Sequence, residues 1–75
     1  MEKKSQMLQK LTLKERVYLR YALSGYNAHQ IADLLHRSKR TVESHLRNIR
    51  IKFDCRNKSQ LFDLALKHGL IRLHI

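Results

Sequence analysis

Within residues 39–53, side chains that donate or accept hydrogen bonds recur at helical spacing. At 100° per residue, Arg40, Ser44 and Arg47 share one side of a helix with Ile51, and Glu43 flanks them. Their chemistry is that of reading base pairs. A guanidinium bridges O6 and N7 of guanine, a hydroxyl pairs with several edges, and a carboxylate accepts from the cytosine amine. Arg40, Glu43, Ser44 and Arg47 are therefore the expected base-contacting set. A neighbouring stripe, Thr41, His45, Asn48 and Lys52, carries groups suited to phosphate contacts, which set register without carrying sequence information. Lys39, at the head of the helix, belongs with this phosphate group.

Such side chains need a framework that aims them. Val42, Leu46, Ile49 and Phe53 fall within about 60° of one another on the opposite side of the same helix, and Leu46 is the expected centre of this buried stripe. Ser38 is a good N-cap for it. Before it, His36-Arg37-Ser38 reads as a polar turn, and Ile31, Ala32 and Leu35 mark one face of a shorter helix from about Asn27 or Ala28 to Leu35. Two amphipathic helices joined by a tight turn make a helix-turn-helix, whose second helix enters the major groove of DNA. Upstream, Thr12 with Glu15 forms a capping box that opens a first helix carrying Val17, Tyr18, Leu19, Tyr21, Ala22 and Leu23, and Gly25 stops it. Downstream, Asn57 with Gln60 repeats the capping pattern for a fourth helix ending after His68 at Gly69. The expected fold is all-α, four helices, with residues 1–10 as a flexible or helical arm and 11–75 as the domain.

The formal net charge of +10 is concentrated on the third helix and its flanks, where Arg37, Lys39, Arg40, Arg47, Arg50, Lys52, Arg56 and Lys58 face only Glu43 and Asp54. That excess of one sign favours a polyanionic partner over a merely solvated face. Apolar residues make up 43% of the chain, too many for a disordered basic tail. The single Cys55 reads as a small buried hydrophobe and needs no oxidising compartment. No apolar run approaches the ~18 residues of a membrane span, and residues 1–6 lack the apolar stretch of a secretory signal, so a cytoplasmic protein is expected. The five histidines and one cysteine show no metal-ligand spacing. Neither a Gly-rich phosphate loop nor a nucleophile–base pair points to an enzyme, and no cofactor is expected. Tyr18, Tyr21 and Tyr26 read better as packing for the first helix than as stacking platforms for single-stranded bases.

The fourth helix carries two apolar stripes where a monomer needs one: Leu61, Leu64, Ala65 and His68, and then Phe62 with Leu66. The following Leu70, Ile71, Leu73 and Ile75 add more apolar surface. A three-helix core covers one face; the other is a candidate two-fold patch. Leu61, Leu64, Ala65 and His68 are the expected interface, with Phe62 and Leu66 as the alternative, unless both faces wrap into one very small core.

Across residues 11–71 these pieces together resemble the LuxR-type (GerE-like) helix-turn-helix domain of bacterial transcriptional regulators. The resemblance rests on Leu11-Thr12 with Glu15, Gly25, Ile31-Ala32 with Leu35, Ser38 three before Thr41-Val42, then His45, Asn48-Ile49, Lys52 and Gly69-Leu70-Ile71. It implies sequence-specific promoter binding and dimerisation through the fourth helix. It also implies base reading by Glu43, Ser44 and Arg47, and backbone contacts from Thr41, Lys52 and Lys58. Four positions depart from the family pattern. Asn27-Ala28-His29 replaces Ser-Asn-Lys, Glu43 replaces a base-reading Lys, Asp54 replaces a Gly, and Lys58 replaces an Arg. The reversed charge at Glu43 means that no target site carries over from relatives. The expected partner is double-stranded DNA, bound by a homodimer that can form on the DNA itself, with RNA polymerase a further candidate at a promoter. A sigma-factor region-four-like module and a basic protein-interaction adaptor are the competing readings. A spare apolar face on the fourth helix argues against the first, and steep salt dependence of duplex binding would argue against the second.

Overall fold

The computed structural model describes residues 9–70, which form four α-helices: α1 (Leu13–Leu23), α2 (Ala28–Leu35), α3 (Lys39–Lys52) and α4 (Lys58–Lys67). Each start is set by a side-chain cap. The Thr12 hydroxyl accepts the Glu15 N–H at 3.1 Å, while Glu15 Oε1 accepts the Thr12 N–H at 2.9 Å. Asn27 and Gln30 make the same reciprocal pair for α2, at 2.8 and 2.9 Å. Ser38 Oγ accepts the Thr41 N–H at 3.1 Å and opens α3. At α4 only half of the expected box forms. Asn57 accepts the Gln60 N–H at 2.9 Å, but Gln60 Oε1 takes the N–H of Arg56 instead.

The four ends share one closure, in which a residue in the left-handed region lets the next N–H reach a carbonyl five residues back. Tyr26 donates to Tyr21, Arg37 to Ala32, Cys55 to Arg50 and Leu70 to Ala65, at 3.2, 2.9, 2.8 and 2.9 Å. The left-handed residues are Gly25, His36, Asp54 and Gly69, with φ of 101°, 55°, 55° and 76°. His36 thus makes the tight reversal between α2 and α3, and Asp54 turns the chain out of α3 in a conformation that Asp visits more readily than most residues.

α3 packs against both α1 and α2. Its Val42 and Ile49 are fully buried together with Leu19 of α1 and Ile31 of α2. Leu46, expected at the centre of the stripe, is half-buried and lies at its edge, beside a cleft shared with Arg47 and Arg50. A second correction concerns α4. Leu61 (3% exposed) and Ala65 (0%) close the core of this one chain and are not an exposed two-fold patch. Three short helices leave a gap that only the middle of the α4 apolar face can fill. His68 is half-buried, Leu64 packs on the core from the flank, and Phe62 and Leu66 are half-buried outside the core cluster.

Two contacts lock α3 to α1. The His45 and Tyr18 rings stack with centroids 4.4 Å apart and planes 14° from parallel. At the far end, the ammonium of Lys52 pairs with the carboxylate of Glu15, which is only 7% exposed. Burial alone would raise the Glu15 pKa. The hydrogen bond from Lys52, the Thr12 N–H and the Lys52 charge outweigh it, and the pKa lies below its ordinary value of 4.5. A depressed carboxyl pKa contributes stability that is present above 4.5 and lost as pH falls through the folded-state value. Glu15→Gln should therefore lower the melting temperature at pH 7 and flatten its decline in acid. Lys52→Ala, which leaves a buried carboxylate with one partner fewer, should cost about 1–3 kcal/mol. Thermal melts from pH 7 to pH 3 check both, and parallel acid limbs for Glu15→Gln and the parent would contradict the pairing.

Candidate nucleic-acid interface

The helix-turn-helix places the expected base-reading residues on one open surface. Arg40, Glu43, Ser44 and Arg47 are all exposed on α3, and Ile51 continues their line at 64% exposure. Among the described residues Arg40, Glu43 and Arg47 take no ion pair, so their polar ends remain available to a ligand. Lys39 and Thr41 stand exposed at the head of the helix. The Thr41 Oγ1 accepts from Ser38 Oγ at 2.9 Å, which orients the hydroxyl and leaves its own hydrogen to donate.

Lys58 is brought to this surface from another element. As the first residue of α4, it lines a cleft with Arg47 and Arg50 of α3 and with Tyr26 and Asn27 of the α1–α2 connection. The bend that carries the chain there depends on Asp54. The sequence reading counts Arg50 only within the basic excess and takes Tyr26 as packing for the first helix, so neither is placed at this cleft. Arg50 lies only about 20° from Glu43 around the helix, so the angular signal was present but fell between the stripes considered.

One expected stripe does not survive as a continuous phosphate edge. Thr41 and Asn48 are exposed, but His45 is half-buried against Tyr18, and Lys52 already has Glu15 as its counter-charge. The cause is the position of α1, which covers the side of α3 that carries 45 and 52. Lys39, Thr41 and Lys58 stay exposed on or beside the open side of α3, with half-buried Arg50 next to them. Lys52 serves the fold first.

No group of three or more His, Cys, Asp or Glu side chains among the described residues could hold a metal ion. The half-buried Cys55 thiol has its pKa raised by burial and by the charge of Asp54, which keeps it protonated and poorly nucleophilic. No helix among the described residues is long and apolar enough to cross a membrane.

Residues 4–65 match the family described as bacterial regulatory proteins, luxR family. The chain is 31% identical over 72 residues to the response regulator protein VraR of Staphylococcus aureus, and equally to that of Staphylococcus epidermidis. These matches cover 96% of this chain and 34% of each relative, so the chain spans about a third of the curated relatives it matches. No solved structure gives a significant match. Four helices around a helix-turn-helix, with a family match over most of their length, place this chain in the LuxR family of bacterial regulatory proteins, as a helix-turn-helix domain with a DNA-binding role.

Proposed function

We propose that this chain reads double-stranded DNA sequence-specifically, with α3 in the major groove, as the DNA-binding part of a transcriptional regulator in the bacterial cytoplasm. The observation that carries the reading is the contrast between the two sides of α3. The inner side is fixed by the core, Tyr18 and Glu15, whereas the outer side presents Arg40, Glu43, Ser44 and Arg47 without ion pairs beside Arg50 and Lys58. Rigid backing with free polar ends is what base readout requires, because the hydrogen-bond geometry must exist before the DNA arrives.

The roles divide by reach and chemistry. Arg47 and Arg40 supply donors for guanine edges, Glu43 accepts from a cytosine amine, and Ser44 adapts to either strand. Lys39, Thr41, Arg50 and Lys58 hold the phosphates on either side. Arg47→Ala should cost about 1–3 kcal/mol on a site recovered by selection and relax preference at one base pair. Lys39→Ala should weaken all duplexes evenly and reduce the salt slope by about one unit. Binding isotherms at several salt concentrations separate the two effects; equal, sequence-independent losses for both variants would contradict the assignment of Arg47.

One short recognition helix reads few base pairs, so specific binding is expected from two copies on half-sites about one helical turn, ~10 base pairs, apart. With Leu61 and Ala65 committed to the core and Leu64 packed on its flank, the two-fold contact is best assigned to Phe62 and Leu66. So small a patch suits pairing on DNA, where the second copy acts at high effective concentration. Leu66→Glu should preserve the fold and half-site binding and abolish cooperativity on the full site. Gel shifts showing single-copy binding to a half-site as tight as binding to the palindrome would remove the dimer from the mechanism.

A further inference from the structure

Of the large apolar side chains on α3, only Ile51 stays open to solvent. Val42 and Ile49 are buried and Leu46 and Phe53 half-buried, whereas Ile51 is 64% exposed. It does not sit on a loose end of the helix. Its carbonyl accepts the Asp54 N–H at 3.1 Å, and the left-handed Asp54 sets the exit of the chain just beyond it. A β-branched side chain in a helix has one strongly preferred χ1, so its methyl groups point in a fixed direction. That direction is the base-reading line. At 100° per residue, Ile51 lies about 20° from Arg40 and Ser44 and about 40° from Arg47.

We infer that Ile51 is a further specificity-determining residue, which reads a thymine through its C5-methyl group; this rests on α3 lying in the major groove. The base-pair edges exposed there offer donors, acceptors and one kind of apolar group, the thymine methyl. Against any other edge Ile51 would cover a donor or acceptor without pairing it, which is unfavourable. Its neighbours in the chain do not displace it from the groove. Lys52 is paired with Glu15, and Arg50 lines the cleft with Lys58. Nor does Ile51 belong to a contiguous apolar patch of the kind a protein partner covers, since Ser44 and Arg47 are the exposed side chains beside it on this line. The spacing along the helix says which base pair it meets. Ile51 stands about 6 Å beyond Arg47, so the thymine lies within about two base pairs, at ~3.4 Å each, of the pair that Arg47 reads.

The test uses duplexes carrying one selected half-site, so that pairing between copies does not enter. Thymine is expected within about two base pairs of the guanine assigned to Arg47. Replacing that thymine with deoxyuridine removes one methyl group and leaves every hydrogen-bonding group in place. The swap should weaken binding by the parent chain about four-fold. Ile51→Ala should melt close to the parent, bind the thymine duplex several-fold more weakly, and no longer distinguish thymine from uracil. A uracil penalty unchanged in Ile51→Ala, no penalty in either protein, or a selected site without thymine in that stretch would overturn the assignment. Arg47→Ala on the same duplexes keeps the two readings apart. Loss of preference at its own base pair, with the methyl ignored by the parent, leaves the major-groove reading standing and removes Ile51 from it. A parent chain without preference on any duplex removes both.

Discussion

The pairing of Glu15 with Lys52 sets the geometry on which the rest of the domain depends. One carboxylate closes the first turn of α1 through the Thr12 N–H and also holds the last residue of α3. At the other end, the left-handed His36 and the Ser38 cap fix where α3 begins. A helix held at both ends and stacked through His45 on Tyr18 cannot roll about its axis. That matters because a roll of about 30° displaces surface atoms by roughly 3 Å on a cylinder of radius ~5–6 Å. Such a displacement exceeds the tolerance of any bidentate contact to a base edge.

Charge is divided along the same lines. With 16 Lys and Arg against 6 Asp and Glu, the chain spends one of its few acids inside, where it neutralises a single lysine. Lys39, Arg40, Arg47 and Lys58 are exposed on or beside the outer side of α3, and their mutual repulsion is a cost that a polyanion removes on binding. Ligand binding to the native state alone raises its apparent stability, so fold and function are coupled through the surface field as well as through Glu15. The core that resists this repulsion is small: Leu19, Ile31, Val42 and Ile49 are its largest fully buried side chains, one from each of α1 and α2 and two from α3.

Local signals proved the most legible part of the sequence. The Thr12–Glu15 box, the Ser38 cap, the stops at Gly25 and Gly69 and the left-handed Asp54 are each encoded within a few residues, and each forms. The Asn27–Gln30 box follows the same spacing and needed only to be looked for. What depends on packing between distant elements was less legible. The angular reading of α3 separates buried from open sides but cannot know that α1 lies beside 45 and 52, so it places His45 and Lys52 in a phosphate-contacting stripe rather than against Tyr18 and Glu15. Likewise Leu61 and Ala65 look no different in sequence from a spare stripe, because only the three-dimensional gap left by α1 to α3 decides which face of α4 fills it. Arg50 enters the interface through a cleft that exists only once α4 folds back.

The most direct test of the central claim is backbone amide chemical-shift mapping, titrating the protein with a duplex that carries its selected site at moderate salt. The expected result is perturbation concentrated on residues 39–47 of α3 and at Lys58, with the outer side of α1 around Leu13 and Val17 silent. Perturbation of that outer α1 side with α3 unmoved would contradict the claim that α3, held by Glu15, is the surface that meets DNA.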